Sequence, residues 1–181
     1  MDTQDPVASP ATIITPPVKA EVITPPTNLR DKVSISANGV NPEMLEKAEQ
    51  VIASLSPSYL TWVEDDLRRA QALLEKIETC SGDDAKPLLT ELFTIVHDIK
   101  GQGGSFNYVL MTVVGKYLCR FIEAVQDAPR PSHWPVLRVH VDSLRLIISE
   151  RMEGDGGATG DRMLRGLAAA ITKTIGQIDL N

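Results

Sequence analysis

The chain has 181 residues, a formal net charge of −6 and a pI of about 5.1. That balance excludes nucleic acid as a main partner, because phosphate backbones demand clustered Lys and Arg. Here the basic residues alternate with acidic ones, as in "EDDLRRAQ", and a 43% hydrophobic content with only 4% aromatics allows one modest, mainly aliphatic core.

Residues 1–41 differ from the rest. The start, "MDTQDPVASP", is acidic and polar, unlike a secretory signal. Proline is dense, and "ITPP" occurs at Ile14–Pro17 and again at Ile23–Pro26. Such a stretch cannot sustain a helix or a ladder, and its large apolar residues are too sparse to offset the entropy of ordering. It predicts a disordered, Pro-rich, partly polyproline tail.

From Asn41 the pattern is helical. "NPEMLEKAEQVIASL" opens with Asn and Pro, a usual N-cap and first-turn pair. Met44, Leu45, Ala48, Val51, Ile52 and Leu55 form its apolar stripe. Ser56–Pro57 repeats the start signal and predicts a second helix carrying Leu60, Val63, Leu67, Ala70, Leu74 and Ile77, ended by Ser81–Gly82. Asp83 or Asp84 is expected to cap a third, with Pro87 in its first turn. A fourth, about 106–126, is apolar on nearly every side and should be central. "DAPRPS" is a turn, a fifth helix spans roughly 135–152, "EGDGGATG" is a flexible loop, and a sixth helix covers about 162–177.

No segment alternates with period two, and the connections are short. The predicted fold is all-α: an antiparallel up-and-down four-helix bundle over about 57–153. A first helix packs on one end, and an extra helix is added at about 161–178. The longest charge-free apolar run, Gly101–Gly115, is too short for a membrane span, which needs about 20 apolar residues. Cys80 and Cys119 lie outside any C-x-x-C pattern and read as two buried thiols in a reducing compartment. The expectation is a cytoplasmic protein with no membrane partner.

The informative stretch is "ELFTIVHDIKGQGGSFNYVL", residues 91–110. With His97 at zero on a helical wheel of about 100° per residue, the apolar face centres near roughly 220°, so His97 points to solvent. Thr90, Thr94, Gly101 and Gly104 fall within about 60° of it, with Phe93 and Lys100 at the edges. Glycine favours helix ends, which accounts for Gly103 and Gly104, but not for Gly101 on the His97 face. Clearance accounts for it: something large approaches His97, and a Cβ at 101 or 104 would obstruct it. Lys100 shares a helix edge with His97 and can neutralise phosphoryl oxygens placed on the ring.

"HDIKGQGG" resembles the H-x-x-K-G-x-x-G signature of histidine-containing phosphotransfer (Hpt) domains, and the likeness extends to the helical layout over roughly 42–153. The resemblance implies His97 as phosphoacceptor, Lys100 as phosphate-stabilising partner, and Gly101 and Gly104 as the small residues beside it; Phe93 and Thr94 read as further docking surface, with partial burial of Phe93 at the stripe's edge the equal alternative. It implies a phosphocarrier rather than an enzyme, relaying a phosphoryl group between receiver-domain aspartates of response regulators or hybrid sensor kinases. It implies no cofactor of its own, Mg²⁺ being supplied by the receiver. Many members have Leu-Gly at nine and ten residues after the histidine; here Phe106 and Asn107 stand there, and Asn tolerates the left-handed turn next best.

Two other readings compete. In one, His97 is an ordinary surface histidine and the protein a helical adaptor. In the other, His133 and His140 share a face and bind a metal; but His133 falls in a turn, His140 on a polar side, and acidic partners at ligand spacing are not evident. Asp65, Asp66, Arg68 and Arg69 read as a solvated face, and Trp62 and Trp134 as packing residues.

Overall fold

The computed structural model describes residues 41–80 and 82–180. The chain divides into two units, 1–40 and 41–181, and the tail expected over 1–41 lies outside the described residues apart from Asn41. The described residues form helices and turns, with no strand among them.

Helix α1, Pro42–Thr79, starts where the Asn-Pro signal places it: the Asn41 side chain accepts from the Glu43 N–H at 2.9 Å. The break expected at Ser56–Pro57 does not occur, and the two helices predicted there are one. Proline inside a helix removes a hydrogen bond and costs about 3 kcal/mol. The apolar positions Leu45, Ile52, Tyr59 and Val63 stay in phase across Pro57, and the continuous helix is retained. Burial, however, begins only at Tyr59 and continues through Val63, Leu67, Ala70, Leu74 and Ile77. The preceding stripe of Met44, Leu45, Val51, Ile52 and Leu55 is exposed, so the segment expected to pack on the bundle does not do so.

A 3-10 turn, Gly82–Ala85, leads into α2, Lys86–Gly103. Neither Asp83 nor Asp84 caps it; Asp83 pairs instead with Lys86 at 2.8 Å. A second 3-10 turn, Gly104–Phe106, is ended by Asn107 in the left-handed conformation (φ 63, ψ 26), as its amide side chain allows. That turn delays α3 to Val109–Val125. Helices α4, Trp134–Ser149, and α5, Gly157–Ile175, follow. The later part of α1 packs on α2 and α4, and α3 packs on both as well; α5 lies across α3 and α4. The apolar α3 is thus contacted from three sides, as its composition requires. No helix among the described residues is long and apolar enough to cross a membrane.

The glycine-rich segment read as a flexible loop is an ordered clasp, and α5 begins inside it. Leu110 N–H donates to Gly154 O at 2.9 Å, Gly154 N–H donates to Asn107 O at 2.6 Å, and Asn107 Nδ2 donates to Glu153 at 3.1 Å. Gly160 is buried, and a Cβ there would lie 2.1 Å from the Asp155 carbonyl oxygen, so glycine is required for this close approach. These bonds tie the α2–α3 turn to the α4–α5 connection.

Three further expectations change. Trp134 is buried but Trp62 is 49% exposed. Cys119 is buried, Cys80 only half-buried. His133 does lie in a turn, the 3-10 segment Pro131–His133, but is buried there, and His140 is buried too and not on a polar side. His140 Nδ1 hydrogen-bonds to Val136 O at 2.7 Å and its Nε2 has no partner, while His133 packs edge-on against Phe121 and Trp134. Among the described residues no group of three or more His, Cys, Asp or Glu could hold a metal ion.

Burial pushes the His140 pKa down from 6.5 to about 4. The unfolded chain therefore binds a proton that the folded chain refuses, and stability is lost as pH falls from about 6.5 towards 4. Replacing His140 by Leu, of similar size, removes this term. Denaturant titrations are expected to show wild type losing about 2–3 kcal/mol more than His140→Leu between about pH 7 and 4.5. Parallel losses in the two proteins would contradict the assignment.

Candidate functional site

Helix α2 buries Leu89, Leu92, Ile95, Val96, Ile99 and Gly103 along one face. His97 stands on the opposite side and is exposed, in keeping with the helical-wheel expectation. Thr90, Thr94, Gly101 and Gly104 are exposed with it. Both threonine hydroxyls turn back onto the helix: Thr90 donates to Lys86 O and Thr94 to Thr90 O, each at 3.1 Å. Thr94 thus offers its methyl group more readily than a donor. Phe93 is half-buried, and its ring lies 5.8 Å from the His97 ring at 27°, which restricts the imidazole on its N-terminal side.

The glycines divide into two kinds. A Cβ at Gly101 would meet nothing within 4 Å, and one at Gly104 only Thr112 Oγ1 at 3.8 Å. Fold packing does not require either to be bare. At Gly103 a Cβ would lie 2.8 Å from Tyr108 O and 2.9 Å from Thr112 Oγ1, so this glycine is needed for the turn into α3. The expectation that Gly103 serves the helix end and Gly101 the exposed face fits these distances; Gly104 belongs with Gly101.

Lys100 is held by contacts that sequence reasoning did not single out. A Cβ on Gly115 would lie 2.9 Å from Lys100 Cβ and 3.3 Å from its Cα, so α3 can approach α2 here only through glycine. Thr112 Oγ1 donates to the Lys100 carbonyl at 3.0 Å. The base of the lysine is therefore clamped, and its side chain lines the same cleft as His97. The available signal was Gly115 in the middle of an otherwise large-residue apolar helix.

A shallow cleft of about 400 Å³ opens between α2 and α3 beside His97. Asp98 and Lys100 line one wall, and Lys116, Arg120 and Glu123 the other, a balance of three cations to two acids. Arg120 pairs with Glu123 at 3.3 Å, an exposed contact of little energetic weight. On a chain of net charge −6, this gathering of cations is a local reversal of sign that favours an anionic group next to the imidazole. Lys116 and Arg120 were not singled out from sequence; their spacing of four along the apolar α3 is the signal that marks them. Cys119 also lines the cleft, but burial pushes its thiol pKa up to about 11, which keeps it protonated and unreactive.

The arrangement is an exposed helix face beside a shallow cleft, with one imidazole, adjacent cations and two bare positions. It suits a reaction with a group presented by another macromolecule, rather than enclosure of a small substrate. No protein-family model, no curated protein and no solved structure matches this chain.

The two kinds of glycine should respond oppositely to a methyl group. Gly101→Ala is expected to stabilise the fold by about 0.5–1 kcal/mol, through the lower entropy of the unfolded chain. Gly103→Ala is expected to destabilise it by about 1–3 kcal/mol, through overpacking at Tyr108 and Thr112. Urea unfolding midpoints check both; equal shifts would contradict the division.

Proposed function

We propose that this protein is a histidine phosphotransfer protein, a cytoplasmic phosphocarrier that relays a phosphoryl group between receiver-domain aspartates in a two-component phosphorelay. The observation that carries the reading is the conjunction on α2: His97 exposed, Lys100 clamped one turn later, and Gly101 and Gly104 bare where packing does not need them to be. The contacts of α1 through α4 support an antiparallel up-and-down four-helix bundle as the frame, with α5 added on the α3–α4 side.

In the proposed mechanism a phosphorylated receiver docks over Gly101 and Gly104, flanked by Phe93 and Thr94. The unprotonated Nε2 of His97 attacks phosphorus in line. The N–P bond forms as the P–O bond to the receiver's aspartate breaks, and the aspartate leaves as a carboxylate. The ammonium of Lys100 offsets charge on the equatorial oxygens, with Lys116 and Arg120 adding to the field. A second receiver's aspartate then attacks the phosphohistidine and restores His97; each step is reversible. Mg²⁺ belongs to the receiver, and this chain acts without a nucleotide site, a nucleic-acid partner or a membrane partner of its own.

Transfer rates from a phosphorylated receiver test the docking and charge roles separately. Gly104→Glu is expected to slow transfer at least about 100-fold, by bulk and like charge, with helix content unchanged, because the position is open and its φ of −63 suits any residue. Lys100→Ala is expected to slow transfer about tenfold, near 1.4 kcal/mol of lost charge stabilisation. Wild-type rates in Gly104→Glu would contradict the docking face, and wild-type rates in Lys100→Ala would contradict the charge role.

A further inference from the structure

The first five turns of α1 carry an apolar stripe that the bundle does not cover. Met44, Leu45, Val51, Ile52, Leu55 and Trp62 are between 39% and 68% exposed. Met44, Val51, Leu55 and Trp62 point within about 40° of one another on a helix of about 100° per residue. With Ala48 and Ser58 they follow an alternating spacing of four and three: 44, 48, 51, 55, 58, 62. That is the spacing of a two-stranded helical pair, and the exposed Leu45 and Ile52, about 80–100° to one side, give it an apolar flank.

We propose that this seam pairs with the same seam of a second copy, making the protein a two-fold dimer through the N-terminal part of α1. Area supports a second copy. The exposed apolar side chains amount to roughly 600 Å² per copy, so a two-fold pair buries roughly 1,200 Å², the lower bound for a specific interface. A patch of that size lies at the upper end of what a monomer leaves to water. Charge supports it too. Glu43, Glu46 and Glu49 fall off the seam, so two copies bring no acids face to face, and Lys47 alone flanks it. The same three acids against one lysine disfavour an anionic lipid surface. A seam without charged residues needs no complementary sequence in its partner, and in an isologous pair each residue near the axis meets its own equivalent. The His97 face lies on α2, so the pairing leaves it free.

Light scattering on the full chain at about 50 µM is expected to give twice the 19.7 kDa chain mass, and Val51→Glu with Leu55→Glu to return one chain mass with unchanged helix content by circular dichroism. Disulfide trapping in a Cys80→Ser background locates the contact. Val51→Cys is expected to cross-link rapidly under mild oxidation, and Gln50→Cys, on the far side of the helix, is not. A wild-type protein that stays monomeric overturns the proposal. So does a dimer that survives the double glutamate variant, or equal cross-linking from positions 50 and 51.

Discussion

Helices α2 and α3 approach each other closely at Gly115, where the backbone of one meets Cα and Cβ of Lys100 on the other. Three residues earlier Thr112 donates to the Lys100 carbonyl, and one further turn on Gly103 meets Tyr108 and Thr112. Interiors are packed densely enough that a single added carbon at either glycine would push the helices apart. The rest of the site depends on this crossing. It sets the rotation of α2, which turns His97 outward as Leu92, Val96 and Ile99 turn inward. It fixes the root of Lys100 and brings Lys116 and Arg120 to the opposite wall of the cleft. The turn beyond it is anchored in its turn by Asn107 and the Gly154 segment.

The result is an exposed imidazole on an open surface, which the proposed phosphocarrier role uses as its nucleophile. A carrier needs that combination, because its reacting partner arrives attached to another protein and must leave again. The catalytic contribution of such a site lies in orientation and charge, not enclosure. Net charge and local charge therefore differ in meaning: the acidic whole disfavours nucleic acid, and the cationic cleft favours one anionic group at one place. Two buried histidines and a buried thiol add no competing chemistry, since burial keeps His140 and Cys119 uncharged.

Much of this was legible in the sequence wherever a single helix decided the matter. The face of α2, the exposure of His97, the start at Asn41 and the left-handed turn at Asn107 all follow from periodicity and local backbone preference. What was hidden depended on two elements at once. Ser56–Pro57 carries a start signal, but the in-phase stripe on either side overrides it. "EGDGGATG" has the composition of a loose loop, yet Gly160 and the backbone bonds to Asn107 and Leu110 make it a packed junction. Gly115 looks like a defect in an apolar helix until Lys100 is placed against it. His140 read as polar because the wheel of α4 does not reveal that α1, α3 and α5 close around that helix.

The proposed phosphocarrier role requires that His97, and no other residue, receives the phosphoryl group. The most direct measurement is the position and stability of label after incubation with a ³²P-labelled receiver domain, comparing wild type with His97→Gln. The expected result is an acid-labile, base-stable label on wild type and none on His97→Gln, with both proteins equally folded. Label retained by His97→Gln, or a well-folded wild type that takes none from any receiver of its own cell, would contradict the account and leave the protein a helical adaptor.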